Sequence, residues 1–136
     1  MIEEYIVGRE ATCGVLDSAD SSQAYALFPI EIITTEQKIF NKLSPELCQE
    51  LCPSTFSQSI KQELQEISLT SHMALGLRHY SRSDFIISPR GIYLLETNSL
   101  PGLTEESLYP KSLEAAGVSF QEFLDHVLTS TLSKTS

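Results

Sequence analysis

Apolar residues recur along this chain in two rhythms. Over residues 54–76, Phe56, Ile60, Leu64, Ile67 and Leu75 return at helical spacing, while Gln62, Glu63, Gln65 and Glu66 face away. That stripe predicts an amphipathic helix seated on a sheet. Thr55 with Gln58 fits a capping box at its start, and Gly76 supplies the stop. A second helix is expected over 108–116, entered at Ser107 and closed by Gly117. Ser119 and Glu122 form another capping box, opening a third helix with Phe120, Phe123, Leu124, Val127 and Leu128 on its apolar side. Residues 129–136 are expected to fray.

The second rhythm is that of strands. Residues 3–17 read as a short linker, Gly8, and a strand with rough alternation; a polar turn over 17–22 leads to a second strand over 23–33. Pro29 interrupts that strand and places its end at a sheet edge. Residues 34–52 are the least regular, with a short helix expected to start at Pro45 behind Ser44. Apolar runs at 85–87 and 92–95 flank Ser88-Pro89-Arg90-Gly91, a hairpin signal in which proline pre-sets φ and glycine tolerates positive φ. With a loop at 89–91, Ser88 pairs with Ile92 and Asp84 falls opposite Glu96. The fold class is α+β, an antiparallel sheet with helices packed on one face, in one domain over 1–136.

Composition narrows the function. Nine Lys and Arg against 18 Asp and Glu give a net charge of −9 with no basic cluster, which argues against nucleic acid or an anionic membrane as partner. No apolar run reaches the length of a membrane span, and Met1-Ile2-Glu3-Glu4 lacks the basic and apolar regions of a signal peptide, so a cytoplasmic setting is expected. Cys13, Cys48 and Cys52 lack a second Cys/His pair that would complete a zinc site, and read as buried or idle thiols. His72 and His79 have no partner at ligand spacing and read as surface or structural residues, not catalytic ones.

Like charges directly opposite each other destabilise a sheet, and a hard cation removes that penalty. Alternation puts Glu96 and Asn98 on one side of their strand, so Asp84, Glu96 and Asn98 form a candidate oxygen-ligand set for Mg²⁺ or Mn²⁺. The alternative is a group of solvated strand-end residues.

The whole string decides how to weigh them. Arg82-Ser83-Asp84, a hairpin, then Glu96-Thr97-Asn98 and Pro101-Gly102-Leu103-Thr104 resembles the metal-binding end of ATP-grasp ligases. The continuation through Ser107-Leu108 and Pro110 resembles the C-terminal portion of the D-alanine–D-alanine ligase family, and the likeness extends from Glu3 to about Leu128. The resemblance implies ATP and Mg²⁺ as cofactors and D-alanine as substrate. It implies nucleotide contacts at Glu3, Ile6, Glu10 (the ribose carboxylate), Lys42 (a γ-phosphate contact) and Ile86. It implies that Arg82 steadies a developing oxyanion, although neutralising the acidic pair would also occupy it. It implies that Gly102, Ser107 and the Leu108 amide bind the acceptor's carboxylate, although Ser107 as a plain helix cap fits the same pattern.

The likeness has departures. Leu43 stands where the family's lid carries a tyrosine, the hairpin is a residue short, and Ser83, Thr97 and His79 replace small or aliphatic residues. Few lysines are present to clamp phosphates, so the family's N-terminal half, or a fusion partner, is expected to supply them, and the chain alone is expected to lack ligase activity. A non-catalytic or degenerate nucleotide- or metal-binding module is the competing expectation, with Leu43 its best argument. The oligomeric state is not legible.

Overall fold

The computed structural model describes residues 2–18, 23–34 and 48–132. Six strands and three helices follow in chain order: β1 (Arg9–Asp17), β2 (Ala24–Ala26), β3 (Ile30–Thr34), β4 (Cys48–Leu51), α1 (Gln58–Ala74), β5 (Tyr80–Ser88), β6 (Gly91–Asn98), α2 (Leu108–Ala115) and α3 (Phe120–Leu132). The sheet is antiparallel, ordered β4-β3-β1-β5-β6, with β2 also paired to β1. The expected α+β antiparallel sheet is therefore present.

Its helices divide between two faces instead of sharing one. Along β1 and β5, Ala11, Cys13 and Phe85 point to one side, where they pack with Phe56, Ile60, Leu64 and Ile67 of α1 and its approach. Leu16 and Tyr80 point to the other side, against Tyr109 and Leu113 of α2 and Phe123 of α3. Because strand side chains alternate faces, a helix stripe exists for each. Tyr80, Tyr109 and Phe123 form a mutual ring cluster with centroids 5.2–5.5 Å apart. Tyr109 donates its hydroxyl to the Val15 carbonyl at 2.8 Å, and burial pushes its pKa upward. The sheet admits this ring because residue 14 is glycine. A Cβ there would meet both Tyr109 Cε2 and Leu27 Cδ1 at 2.9 Å.

Several expected boundaries shift. α1 starts at Gln58 with Ser57 as its cap, accepting from the Ile60 amide, so Thr55 is not the cap. Leu75 is exposed. Gly76 and Gly117 do end their helices, at φ 62° and 77°, with Leu77 N donating to His72 O and Val118 N to Leu113 O. Pro29 splits the second strand into β2 and β3, but β3 is no edge, since β4 pairs along it. That same β4 occupies the described part of the stretch expected to form a short helix; Ser44 and Pro45 lie outside the described residues. α3 continues past Leu128 to Leu132, into the stretch expected to fray.

Two buried polar groups tie the layers together. At the end of β1, Asp17 Oδ1 meets His72 Nε2 of α1 at 3.0 Å, and Oδ2 accepts from the His79 amide at 2.6 Å. His72 Nδ1 meets Ser81 Oγ at 2.8 Å, and His126 Nε2 of α3 meets the Asp17 carbonyl at 2.7 Å. All three histidines of the chain thus gather on Asp17, in structural roles. Burial raises the Cys13 thiol to about 12, as an idle core cysteine requires.

On the α1 face, Glu31 is buried and accepts from Arg9 Nε at 2.9 Å, Thr55 Oγ1 at 2.6 Å and the Thr55 amide at 3.1 Å. Burial alone would raise its pKa; the Thr55 and Arg9 donors outweigh it and hold the carboxyl below its usual value. A carboxylate lowered in the folded state contributes stability that is present above its unfolded pKa and lost as pH falls through the folded value. Glu31→Gln is expected to lower stability at neutral pH by about 1–3 kcal/mol. It should also flatten the loss between about pH 5 and pH 3. Urea unfolding across that range checks this, and parallel pH profiles for the two proteins would refute it.

Candidate functional site

The hairpin of β5 and β6 positions the candidate residues, and its register is the key to how. Ser88 pairs with Gly91, not Ile92, so the loop is only Pro89-Arg90, and Gly91 takes φ 137°. Left uncorrected, this tighter turn would displace Glu96 from Asp84. A β-bulge corrects it: Phe85 pairs with Leu94 but Asp84 with Glu96, leaving Leu95 as the extra residue. The missing loop residue and the bulge cancel, and the two carboxylates stand opposite each other as expected.

Around them the sheet builds a polar grid. Arg82 pairs with Asn98 on β6, and Thr12 of β1 pairs with Asp84 from the other side. Asn98 Nδ2 lies 3.0 Å from Glu96 Oε1 and 3.4 Å from Asp84 Oδ2, so its amide sits between the two carboxylates. Arg82 forks onto Asp84, Nε to Oδ1 at 2.9 Å and Nη2 to Oδ2 at 2.8 Å. Thr12 Oγ1 reaches Asp84 Oδ1 at 2.6 Å. Thr12 was not singled out from the sequence; its partner is visible only once β1 is known to pair with β5.

Glu10 lies one pair further along the same face, opposite Ile86 of β5 and Ile32 of β3. Burial and the nearby Asp84 charge both raise its pKa. Towards the hairpin tip, Arg90 pairs with Glu4 at 2.7 Å and lies over the Tyr93 ring, drawing the segment carrying Glu3 and Ile6 alongside. Gly8 allows that approach, since a Cβ there would lie 2.5 Å from the Ile87 carbonyl oxygen. Lys42 and Leu43 lie outside the described residues.

Beyond Asn98 the chain turns back so that Gly102 abuts Ser107: a Cβ on Gly102 would sit 2.8 Å from Ser107 Oγ. Ser107 occupies the cap position of α2, yet its side chain makes no capping bond and instead meets Thr104 Oγ1 at 2.8 Å. The hydroxyl and the first amides of α2, beginning at Leu108, are therefore presented together at a helix start. Among the departures on the hairpin, Ser83 and Thr97 satisfy each other, 2.9 Å apart as a directly opposed pair.

The donor chemistry fits a hard cation. Two carboxylates and an amide offer only oxygen once the Asn98 amide turns over, which suits Mg²⁺ or Mn²⁺ and not a soft metal. Among the described residues no three His, Cys, Asp or Glu side chains gather as a metal site, so a ligand bringing its own oxygens would complete the shell.

A family model described as D-ala D-ala ligase C-terminus matches residues 1–129. The chain belongs to this family. Among ligase relatives, the D-alanine–D-alanine ligase of Desulfotalea psychrophila is 38% identical over 98% of this chain and 42% of its own length. That of Syntrophobacter fumaroxidans is 41% identical over 94% of this chain, and again 42% of its own. The D-alanine–D-alanine ligase of Bacillus anthracis solved as a complex with ATP superposes with a TM-score of 0.75 at 30% identity, covering 96% of this chain and 40% of that one. The chain thus spans about two-fifths of the length of the curated ligases it matches. Among the described residues no helix is long and apolar enough to cross a membrane.

Proposed function

We propose that this chain is the ATP- and Mg²⁺-binding C-terminal part of an ATP-dependent D-alanine–D-alanine ligase, serving peptidoglycan synthesis. In the whole reaction the carboxylate of one D-alanine is activated as an acyl phosphate, and the amine of a second D-alanine attacks it. ADP, phosphate and the dipeptide leave. The observation that carries the reading is the convergence of Asp84, Glu96 and Asn98 through one amide, 3.0 and 3.4 Å from the two carboxylates.

Asp84, Glu96 and Asn98 would hold Mg²⁺, which when bound neutralises charge on the phosphates. Glu10 takes the ribose hydroxyls, with Glu3, Ile6 and Ile86 around the base and Lys42 on the terminal phosphate. Arg82 supplies a permanent planar cation for the oxyanion; with Nε and Nη2 on Asp84, its Nη1 is without a partner among the described residues. Gly102, the Ser107 hydroxyl and the Leu108 amide hold the acceptor's carboxylate at the start of α2. The first D-alanine site and further phosphate-clamping cations are assigned to the portion of the relatives that this chain does not span. No D-alanine-dependent phosphate release is therefore expected from these 136 residues alone.

Calorimetric titration of ATP with and without Mg²⁺ tests the site. Metal-dependent binding is expected to weaken by about tenfold or more in Asp84→Asn and Glu96→Gln. Variants that bind the metal–nucleotide complex as the parent does would remove the reading.

A further inference from the structure

We propose that Thr12 is the positioning residue that sets the Asp84 carboxylate for a divalent cation; the inference rests on reading that carboxylate as a metal ligand. Thr12 is buried, at 2% exposure, and stands directly opposite Asp84 across β1 and β5. Its hydroxyl has one proton and two acceptors within reach, the Ser83 carbonyl at 3.1 Å and Asp84 Oδ1 at 2.6 Å. The shorter distance lies in the charge-assisted range for a hydroxyl on a carboxylate, so the proton belongs to Asp84.

The consequence is an asymmetric carboxylate. Oδ1 receives Thr12 and Arg82 Nε, which fill its lone pairs from the protein side. Oδ2 keeps the Arg82 Nη2 contact and a long 3.4 Å approach from Asn98, and so is the oxygen turned towards Glu96 and Asn98. Arg82 cannot set this orientation alone. It stands two residues away on the same strand, its side chain is long, and its fork can follow the carboxylate as it rotates. Thr12 acts from a different strand through a short, β-branched side chain with little χ1 freedom. It is the element that fixes Asp84 against the sheet.

Thr12→Val keeps the shape and the branch and removes only the donor. Thr12→Ser keeps the donor and removes the branch. The full 136-residue chain is titrated with Mn²⁺ in the presence of ADP, free ion being read by electron paramagnetic resonance and the thermal midpoint measured alongside. Thr12→Val is expected to weaken Mn²⁺ binding by about 10- to 100-fold, with Thr12→Ser within about threefold of the parent. A general packing defect would lower the midpoint without this split between valine and serine. Should Thr12→Val not fold, Thr12→Ala carries the comparison. Donor-less variants that bind Mn²⁺ as tightly as the parent, while Asp84→Asn does not, would overturn the role of Thr12 and leave the site standing. A parent that binds no better than Asp84→Asn would overturn the site, and Thr12 with it.

Discussion

Tyr109→Ala is expected to lower the unfolding free energy by about 3–5 kcal/mol. The ring is fully buried, packs on both Tyr80 and Phe123, and fills the space above Gly14. Removing it strips α2 of a fully buried anchor and leaves a cavity among Leu27, Leu113 and Phe123. The hydroxyl is a separate contribution. Tyr109→Phe should cost only about 1–2 kcal/mol, leaving the Val15 carbonyl without that donor. Urea unfolding with an unchanged slope is the measurement. An alanine variant within about 1 kcal/mol of the parent would mean that α2 and α3 are not seated on the sheet as described.

Asp17→Ala is expected to cost about 2–4 kcal/mol, the second largest loss. One carboxylate receives the His79 amide and faces the buried His72 ring, so its removal orphans a backbone donor and a ring nitrogen together. Asp17→Asn keeps an acceptor for His79 and can turn its amide towards the ring, and should lose about half as much. Equal losses for alanine and asparagine would show that charge, and not the bonds, carries the effect. Because α1, the loop at His79 and α3 all converge here, the loss should appear as one cooperative transition.

Which parts of this architecture could be read from the chain follows from how local each signal is. Phe56, Ile60, Leu64 and Ile67 declare their helix by spacing alone, and Gly76 and Gly117 declare the helix ends because each needs positive φ. Ser119 and Glu122 do bond reciprocally, Glu122 to the Ser119 amide at 2.8 Å and the Glu122 amide to Ser119 Oγ at 3.2 Å. Thr55 offered the same local pattern, yet its hydroxyl is taken by Glu31 from a strand 24 residues earlier. A tertiary partner won over a local one. The division of helices between two faces was hidden for a related reason: β1 and β5 carry apolar residues on both sides, and nothing in their order says which helix answers which side. That Asp84 faces Glu96 was legible because a hairpin is short-range, although the loop is one residue shorter than expected and the bulge at Leu95 restores the pairing. Thr12 was not, because its partner lies 72 residues away.

The bulge at Leu95 makes β6 two half-strands whose phases are set independently. The tip half takes its phase from the Pro89-Arg90 turn, and the half carrying Glu96 and Asn98 from the point where Leu95 bows out of the ladder. Deleting Leu95 would restore an unbroken ladder with Glu96 still facing Asp84. Losing a residue between Glu96 and Asn98 would swing one of them to the opposite side of the sheet. Point deletions should therefore be survivable at 95 and ruinous at 97, although the two positions are near neighbours. The hairpin thus has a slack joint beside a rigid one: a change of length at the tip can be absorbed at the bulge while Asp84, Glu96 and Asn98 keep their places.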